Sequence, residues 1–214
     1  MRDIVILYSG GMDSSVALYK HADEIRLAVS FDYGSKHNKI EIGYAAQNCK
    51  ALGIEHRIVD IDLNKMGFVS DLLQSGGDIP DGHYEDESMK KTVVPFRNGI
   101  MLSIAAGIAE SMDCNRLLIS NHAGDHAIYP DCRPEFINSM SDAICFGTYN
   151  NVEIFAPFTN LTKREIALIG KEINVPFEKT YSCYNGQEVH CGTCGTCTER
   201  KEALEGFDKT EYRK

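Results

Sequence analysis

Residues 4–20 read IVILYSGGMDSSVALYK, an apolar run followed by a serine, two glycines and a run of mixed polar and apolar residues. The first run is typical of a buried strand and the last of a helix. A glycine pair after a strand brings backbone N–H groups close to an anion, and the following helix adds the positive end of its dipole. The stretch therefore predicts a strand–loop–helix unit that binds phosphate, although a tight turn without a ligand would also use two glycines.

The polar residues of this loop narrow the kind of phosphate chemistry. Several hydroxyl groups and one carboxylate are concentrated in residues 9–15. The lysine-bearing loop G-x-x-x-x-G-K-[ST] is absent, because Ser15 and Val16 stand where a pattern begun at the first glycine requires Gly and Lys. Kinase-like transfer of a terminal phosphoryl group is therefore not indicated. We expect Asp13 or Ser14 to be the N-cap of the helix.

Strand-like and helix-like runs alternate further along the chain. The strand-like runs, rich in branched aliphatic residues, are 4–8, 25–31, 56–61 and 116–120, and the helix-like runs are 14–21, 39–52, with Gly53 as the helix stop, and 98–112. This alternation predicts an α/β fold, a parallel sheet with helices on both faces. A nucleotide would then lie over the carboxyl ends of the strands.

The residues that follow the second strand are further candidates for nucleotide contacts. Phe31 and Tyr33 would flank an adenine, and Lys36 and His37 would reach a phosphate. Each basic residue is equally consistent with a solvated charged loop.

The amino-acid composition favours a single hydrophobic core and argues against nucleic acid as a stable binding partner. The 214 residues are 43% hydrophobic, and the net charge of -9 with no basic run argues against stable binding to nucleic acid. The apolar run after Arg2 and Asp3 is too short for a signal peptide, and no stretch has the length of a membrane span. We therefore expect a soluble, cytoplasmic protein. Residues 74–91, QSGGDIPDGHYEDESMKK, have the composition of a mobile loop that is either a lid or poorly ordered.

Four of the eight cysteines lie close together, at positions 183, 191, 194 and 197. Their spacing, C-x7-C-x2-C-x2-C with glycines between, suits tetrahedral coordination of zinc by Cys183, Cys191, Cys194 and Cys197. Four thiolates fill the coordination sphere, which favours one structural ion over a catalytic one; an iron–sulfur cluster and redox dithiols are the alternatives. We expect the neighbouring His190 to face solvent.

Three further motifs accompany the cysteine cluster: SGGMDS at 9–14, VPFRN at 94–98 and YPDCR at 129–133. The first matches S-G-G-x-D-S, the loop of the N-type ATP pyrophosphatases. Together, in this order, they resemble the 7-cyano-7-deazaguanine synthase (QueC) family of the PP-loop superfamily, from Ile4 to about Arg200. The sequence departs from that pattern at Phe96, where many members have glycine, and in residues 121–128.

The resemblance implies a Rossmann-like domain, residues 1–179, of the adenine nucleotide alpha-hydrolase type, with a zinc-binding segment at residues 180–214. It implies a homodimer that binds ATP, Mg²⁺ and one structural Zn²⁺ per subunit. It also implies a carbon–nitrogen ligase of queuosine biosynthesis, in which ATP adenylates 7-carboxy-7-deazaguanine, ammonia displaces AMP, and a second adenylation converts the amide to a nitrile.

Residue roles follow from the same motifs and are expectations of the resemblance. The ATP contacts would be Tyr8, Ser9, Gly10, Gly11, Met12, Asp13, Ser14, Ser15, Val16, Ala17 and Leu18, together with Phe31, Tyr33, Lys36 and His37. The catalytic groups would be Asp13, Ser14, Arg97 and Lys163, and the substrate contacts Asn98, Asp131 and Arg133. Arg97 and Arg133 suit bidentate contacts with anionic oxygens.

Several of these residues also fit purely structural roles. Lys163 also fits an exposed helix lysine, Arg97 and Arg133 fit surface ion pairs, and Asp131 fits a turn that opens a helix. Cys132 beside Arg133 suggests a nucleophile of lowered pKa, which adenylation makes unnecessary. The competing functions are another PP-loop enzyme, such as a tRNA thiolation enzyme, and a zinc-ribbon binding module.

Overall fold

The computed structural model describes residues 2–213 of the chain. Strands and helices alternate along most of it. In chain order they are β1 (Ile4–Leu7), α1 (Met12–Lys20), β2 (Ile25–Asp32), α2 (Asn38–Leu52), β3 (Glu55–Asp60), α3 (Arg97–Ser111), β4 (Arg116–Leu118), α4 (Pro134–Gly147), β5 (Glu153–Phe155), α5 (Lys163–Glu172) and α6 (Gly195–Ala203).

The five strands form one sheet in the order β3-β2-β1-β4-β5, and every neighbouring pair is parallel. The predicted α/β class and the Rossmann-like arrangement are confirmed. Strand β5 was not predicted, because three residues are too few for a recognisable period. The chain leaves β1 toward β2 on one side and reaches β4 on the other, so a crevice is expected at the carboxyl end of β1.

Side chains of the central strand alternate between two apolar layers. Ile4 and Ile6 pack with Val16 of α1 and Ile166 of α5, whereas Val5 packs in the layer that contains α3. Ile4, Val5 and Ile6 are all fully buried, although they point to opposite faces of the sheet. Both faces are therefore covered by helices, as the alternation predicted.

Two helix ends show how local sequence sets the boundaries. Gly53 ends α2 in the left-handed conformation, with φ of 64°, which confirms the predicted stop. The N-cap of α1 is Gly11, and no side chain caps this end. The expectation that Asp13 or Ser14 would be the N-cap is therefore wrong: the helix starts at Met12, before both residues.

The acidic segment, residues 74–91, packs against the domain instead of projecting as a free loop. Ile79, Tyr84 and Met89 are buried, and Asp81 pairs with Cys194 in an isolated β-bridge. The expectation of a mobile loop, drawn from glycine and acidic content, missed these three apolar anchors.

The C-terminal segment shares the core of the sheet domain. Cys183, Cys194 and Cys197 belong to the same buried cluster as the strand residues. Arg200 is fully buried and donates from Nη1 to the Thr180 hydroxyl at 2.9 Å. Among residues 2–213, none of the helices is both long and apolar enough to cross a membrane.

Candidate active site

A cavity of about 230 Å³ opens at the carboxyl ends of β1, β2 and β4, where the order of the sheet reverses. Its wall comes from the loop after β1, the end of β2, the first turns of α2 and α3, the loop after β4 and the C-terminal segment. Nine of the expected ATP contacts line it: Tyr8, Ser9, Gly11, Met12, Asp13, Ser14, Phe31, Tyr33 and His37.

The glycine loop (residues 9–14) brings its backbone to the floor of this cavity. Gly10 has φ of +89°, and a Cβ atom there would overlap the carbonyl oxygen of Glu41. The Gly11 N–H donates to Ser9 Oγ at 3.0 Å, and Ser9 Oγ lies 3.0 Å from Ser14 Oγ. Because no side chain caps α1, its first N–H groups remain free to bind an anion.

Asp13 and Lys163 form the central ion pair of the cavity. Lys163 Nζ lies 3.1 Å from Asp13 Oδ2 and 2.8 Å from Glu199 Oε2. Burial alone would lower the pKa of Lys163, but the carboxylates of Asp13 and Glu199 raise it above its usual value, so the ammonium stays charged. The other oxygen of Asp13, Oδ1, is buried without a hydrogen-bond partner.

A capping box sets the position of Lys163. The Thr162 hydroxyl accepts the Glu165 N–H at 3.2 Å, and the Glu165 carboxylate accepts the Thr162 N–H at 2.8 Å. Lys163 is therefore the first residue of α5 and faces the cavity, not solvent.

His122 is 2% exposed and lies next to this ion pair. Its Nδ1 accepts the Gly124 N–H at 3.1 Å, and its Nε2 lies 3.4 Å from Lys163 Nζ. Nε2 lies 3.5 Å from Asp125 Oδ1. Burial would raise the pKa of Asp125, but His122 and Lys163 lower it below its usual value, so this carboxylate is ionised.

Among the cavity residues that were not expected are Glu41, Tyr84 and Asp125, and Glu199 lies beside the cavity as the partner of Lys163. Their positions depend on packing between distant segments. Glu199 comes from α6, Glu41 from the first turn of α2, and Tyr84 from the acidic segment, where its hydroxyl donates to Asp125 Oδ1 at 2.9 Å. The only sequence signal was at Asp125, within the divergent stretch 121–128 that precedes YPDCR.

Arg97 lies at the other end of the cavity and is not a surface residue of an ion pair. Its Nη1 donates to the Tyr33 hydroxyl at 3.2 Å, and its guanidinium lies 5.7 Å from the centre of the Tyr33 ring. Burial would lower the pKa of Arg97, but Tyr33, Tyr184 and Asp131 raise it, so the guanidinium is charged. This end therefore presents one cation among tyrosine rings.

Asn98 lines the cavity, and Asp131 does not. The Asp131 carboxylate accepts the Asn98 N–H at 2.8 Å, at the start of α3, and Asn98 Nδ2 donates to Cys132 Sγ at 3.1 Å. Asp131 thus binds the first turn of α3, whereas the turn considered from its sequence would open α4, the helix after Arg133. Burial raises the pKa of Cys132 well above the usual value, which disfavours a thiolate nucleophile.

Several expected contacts lie outside the cavity. Lys36 Nζ donates to the carbonyls of Asp71, at 2.7 Å, and Gly77. Arg133 is exposed and donates to the His126 carbonyl at 3.0 Å. These two side chains are turned away from the cavity because backbone carbonyls of neighbouring loops bind them.

The remaining residues that were expected to contact ATP do not line the cavity and instead pack behind the glycine loop. Gly10 supports the loop from behind, and four α1 residues, Ser15, Val16, Ala17 and Leu18, are buried under it. Phe96 is also outside the cavity, 58% exposed, with its ring edge-on to Phe136. Its φ of 54° lies in the left-handed region, which glycine adopts more readily than phenylalanine.

The four C-terminal cysteines form a cluster suited to a metal ion. Their Sγ atoms all lie within 4.8 Å of one another, with 3.8 Å between Cys191 and Cys197, and no disulfide joins them. Sulfur atoms about 2.3 Å from a shared tetrahedral ion would have similar separations. The N–H groups of Thr193 and Cys194 point to Cys191 Sγ, at 3.5 and 3.3 Å, which favours a thiolate. The cluster therefore fits a metal.

His190 does not face solvent, contrary to expectation. It is 5% exposed, and its Nε2 accepts the Ser182 N–H at 3.1 Å. Its ring packs against Tyr181 and Tyr212, so it supports the C-terminal segment from inside.

Comparisons with known proteins identify relatives of this chain. Residues 3–208 match the family model of the queuosine biosynthesis protein QueC. The chain is 54% identical to 7-cyano-7-deazaguanine synthase of Porphyromonas gingivalis, over 99% of this chain and 97% of the relative. It is 50% identical to the enzyme of the same name from Desulfotalea psychrophila, over 99% of both chains.

A solved structure gives independent support for the fold alone. The structure of NMN synthetase from Francisella tularensis superposes with a TM-score of 0.53 at 15% identity, covering 88% of this chain and 69% of that one.

Proposed function

This chain belongs to the family of the queuosine biosynthesis protein QueC, and we propose that it converts 7-carboxy-7-deazaguanine, ammonia and ATP to 7-cyano-7-deazaguanine. It would act as a ligase that forms a carbon–nitrogen bond. The observation that carries the proposal is the cavity itself, in which the glycine loop, Asp13 and Lys163 lie opposite the half-buried cation of Arg97.

The first half of the reaction turns a carboxylate oxygen into a leaving group. That oxygen attacks the α-phosphorus of ATP, and the bond between this phosphorus and the bridging oxygen breaks, which releases pyrophosphate. The loop N–H groups and the Lys163 ammonium would stabilise the negative charge that develops on the leaving pyrophosphate. Arg97 would hold the substrate carboxylate at the other end of the cavity.

The second half introduces nitrogen. Ammonia attacks the activated carbonyl carbon, AMP leaves with the electrons of the carbon–oxygen bond, and the nitrogen loses a proton to give the amide. Adenylation of the amide oxygen by a second ATP, with loss of the remaining N–H protons and of AMP, then gives the nitrile. Both rounds need the same positioning of a substrate oxygen next to the α-phosphorus, so one cavity serves both.

Asp13 is the residue of this chain that fits a magnesium ion. Its Oδ1 is a buried carboxylate oxygen with no protein partner, and magnesium prefers such hard oxygen ligands together with phosphate oxygens. When bound, Mg²⁺ would neutralise phosphate charge. For the cysteine cluster we propose one Zn²⁺, since four thiolates leave no open coordination position.

The remaining features of the proposal concern the molecule as a whole. We propose a cytoplasmic homodimer, with residues 1–179 as the PP-loop domain and 180–214 as the zinc-binding segment. Free thiols persist in a reducing compartment, and the net charge of -9 disfavours stable binding to nucleic acid.

The test is turnover by the purified protein. Incubation with ATP, ammonium and 7-carboxy-7-deazaguanine should give AMP and the nitrile by mass spectrometry. Asp13→Ala should abolish AMP formation, because it removes the partner of Lys163 and the free carboxylate oxygen, and it should leave the fold and zinc content intact.

Asp23→Ala is the matched control, since Asp23 is exposed and lies far from the glycine loop in the sequence. Absence of turnover in the wild type, with tight RNA binding instead, would refute the enzyme function. Turnover that survives in Asp13→Ala would refute the role of the loop.

A further inference from the structure

Glu41 brings a carboxylate to the cavity that has no role in the function proposed above. It lies in the first turn of α2, lines the cavity and has a side chain only 12% exposed. Within residues 2–213, the only basic group within 4.0 Å of it is the Nε2 atom of His37, at 3.4 Å. A carboxylate in a cavity without a lysine or arginine partner is costly to ionise, so its presence there calls for a chemical reason.

His37 does not supply a balancing charge. It is 3% exposed, and burial, with Arg97 as a second cause, lowers the pKa of its imidazole to about 3. The ring is therefore neutral near pH 7. Its other nitrogen, Nδ1, lies 3.4 Å from Ser35 Oγ, and the ring stacks on Tyr184.

The Glu41 side chain lies next to the loop expected to hold the phosphates. Gly10 packs directly against the Glu41 carbonyl oxygen, and Oε1 would be 3.8 Å from a Cβ atom on Gly11. An ionised carboxylate here opposes phosphate binding, whereas a carboxylate that takes up a proton during the reaction does not. The position thus favours a group that changes protonation state.

We propose that Glu41 is the general base that removes a proton from ammonium before nitrogen attacks the activated substrate. The inference rests on the function proposed above, which requires ammonia as the nucleophile. At neutral pH ammonia is mainly ammonium, which has no free electron pair and cannot attack a carbonyl carbon. In its ionised form the same carboxylate also attracts the cation, so it would both bind ammonium and activate it.

The proton and electron balance of the step is simple. Ammonium transfers one proton to the Glu41 carboxylate and becomes ammonia, whose electron pair forms the new carbon–nitrogen bond. The carbon–oxygen bond to AMP breaks, and its electrons leave with AMP. The nitrogen then loses a second proton to solvent or to the leaving phosphate, and Glu41 returns its proton to solvent before the next round.

The surroundings of Glu41 suit this exchange. Burial, opposed by the charge of Arg97, raises the pKa of Glu41 to about 8, so it gains and loses protons close to neutral pH. The charged and titratable groups around it in the cavity are His37 on its own helix, Tyr33 after β2, Arg97 on α3, Asp13 on α1, and Tyr181 and Tyr184 of the C-terminal segment. Burial raises the pKa of Tyr33, Tyr181 and Tyr184, so these phenols stay neutral in the same pH range.

The experiment compares two nucleophiles in Glu41→Gln. Hydroxylamine is already neutral at pH 7 and needs no base, whereas ammonium does. With ammonium at pH 7, we expect the variant to form amide and nitrile roughly 100-fold more slowly than the wild type, the usual size of a general-base effect. With hydroxylamine, the variant should form the hydroxamate at a rate within about twofold of the wild-type rate, because this nucleophile needs no base to free its electron pair.

Two further measurements separate chemistry from folding. ATP–pyrophosphate exchange with 7-carboxy-7-deazaguanine and no amine should be retained in Glu41→Gln, which shows that the variant is folded and adenylates substrate. The deficit with ammonium should shrink as pH rises from 7 to above 9, because free ammonia then replaces the missing base. Glu135→Gln, an exposed glutamate in the first turn of α4, is the matched control and should behave as the wild type.

Each result is decisive. Wild-type rates with ammonium in Glu41→Gln would overturn the inference, as would equal losses with both nucleophiles, which would indicate a positioning role. If the wild type itself releases no AMP with 7-carboxy-7-deazaguanine, the proposed function fails, and this is visible before any variant is compared.

Discussion

Gly10 combines a φ of +89° with close contact between its backbone and the carbonyl oxygen of Glu41 in α2. Its own carbonyl accepts the Tyr181 N–H at 3.0 Å. A single residue thus joins the glycine loop to α2 and to the C-terminal segment, and any side chain here would separate them.

Gly10→Ala should destabilise the protein by at least about 2 kcal/mol, because alanine at positive φ costs about 1–2 kcal/mol before the overlap is counted. Gly43→Ala is the matched control. Gly43 lies on helix α2, which also carries Glu41, and a Cβ atom at Gly43 meets nothing within 4 Å. That change should be neutral or stabilising by about 0.5–1 kcal/mol. Urea unfolding of both variants measures the difference, and equal stabilities would contradict this account of the loop.

Asp13 and Lys163, both predicted from continuous stretches of sequence, are brought to the cavity by the fold. Asp13 and Lys163 lie in the cavity because the local strand–loop–helix pattern and the capping box of α5 determine where they point. Lys36 was misplaced, since its direction depends on carbonyls about 35 to 41 residues away. Glu41 was missed for the same reason, because only the contact between α2 and the glycine loop brings it to the site.

Helices and strands could be predicted from the sequence where their hydrophobic pattern extends over enough residues to show a period. Helices α1 to α3 and strands β1 to β4 begin and end within two residues of the expected bounds, because burial on a sheet enforces the apolar pattern. Strand β5 and the packing of residues 74–91 were not predictable. The first has three residues, and the second depends on scattered anchors, Ile79, Tyr84 and Met89, in a polar segment.

Helices α5 and α6 meet at the ion pair between Lys163 and Glu199. Lys163 is the first residue of α5, and Glu199 lies two positions after Cys197 in α6. Burial raises the pKa of Glu199, an effect that Lys163 opposes. Through this pair, the helix that carries Cys197 of the proposed metal site also orients the lysine expected to contact phosphate.

Glu199→Gln should therefore raise the KM for ATP about tenfold, a loss of about 1.4 kcal/mol in binding, while zinc content stays unchanged. The amide cannot balance the ammonium charge, so Lys163 would be held by Asp13 alone. Glu202→Gln, an exposed glutamate on the same helix that is 59% accessible, is the control. A KM that does not change, or one that rises equally in both variants, would refute the coupling between the two helices.

At the scale of the whole molecule, the cysteine cluster packs into the core of the sheet domain. Three of the four cysteines are part of the same core as the sheet, and Arg200 joins this segment to the rest of the domain by donating to the Phe177 carbonyl at 2.6 Å. Thiolates brought this close repel one another unless a cation binds them. Binding of a metal would therefore contribute to the stability of the entire domain, and not of the last residues alone.

Cys194→Ser should lose the metal and lower the melting temperature by about 10 °C, since each 1 kcal/mol corresponds to about 2–4 °C in a chain of this size and a structural zinc site supplies several kcal/mol. ATP affinity should fall in parallel, because Glu199 and the cavity wall formed by Tyr181 and Ser182 depend on the same segment. Elemental analysis, thermal unfolding and ATP titration measure the three effects. Cys145→Ser, outside the cluster, is the control. Loss of metal with unchanged melting and unchanged ATP affinity would mean that the cluster is an independent appendage of the fold.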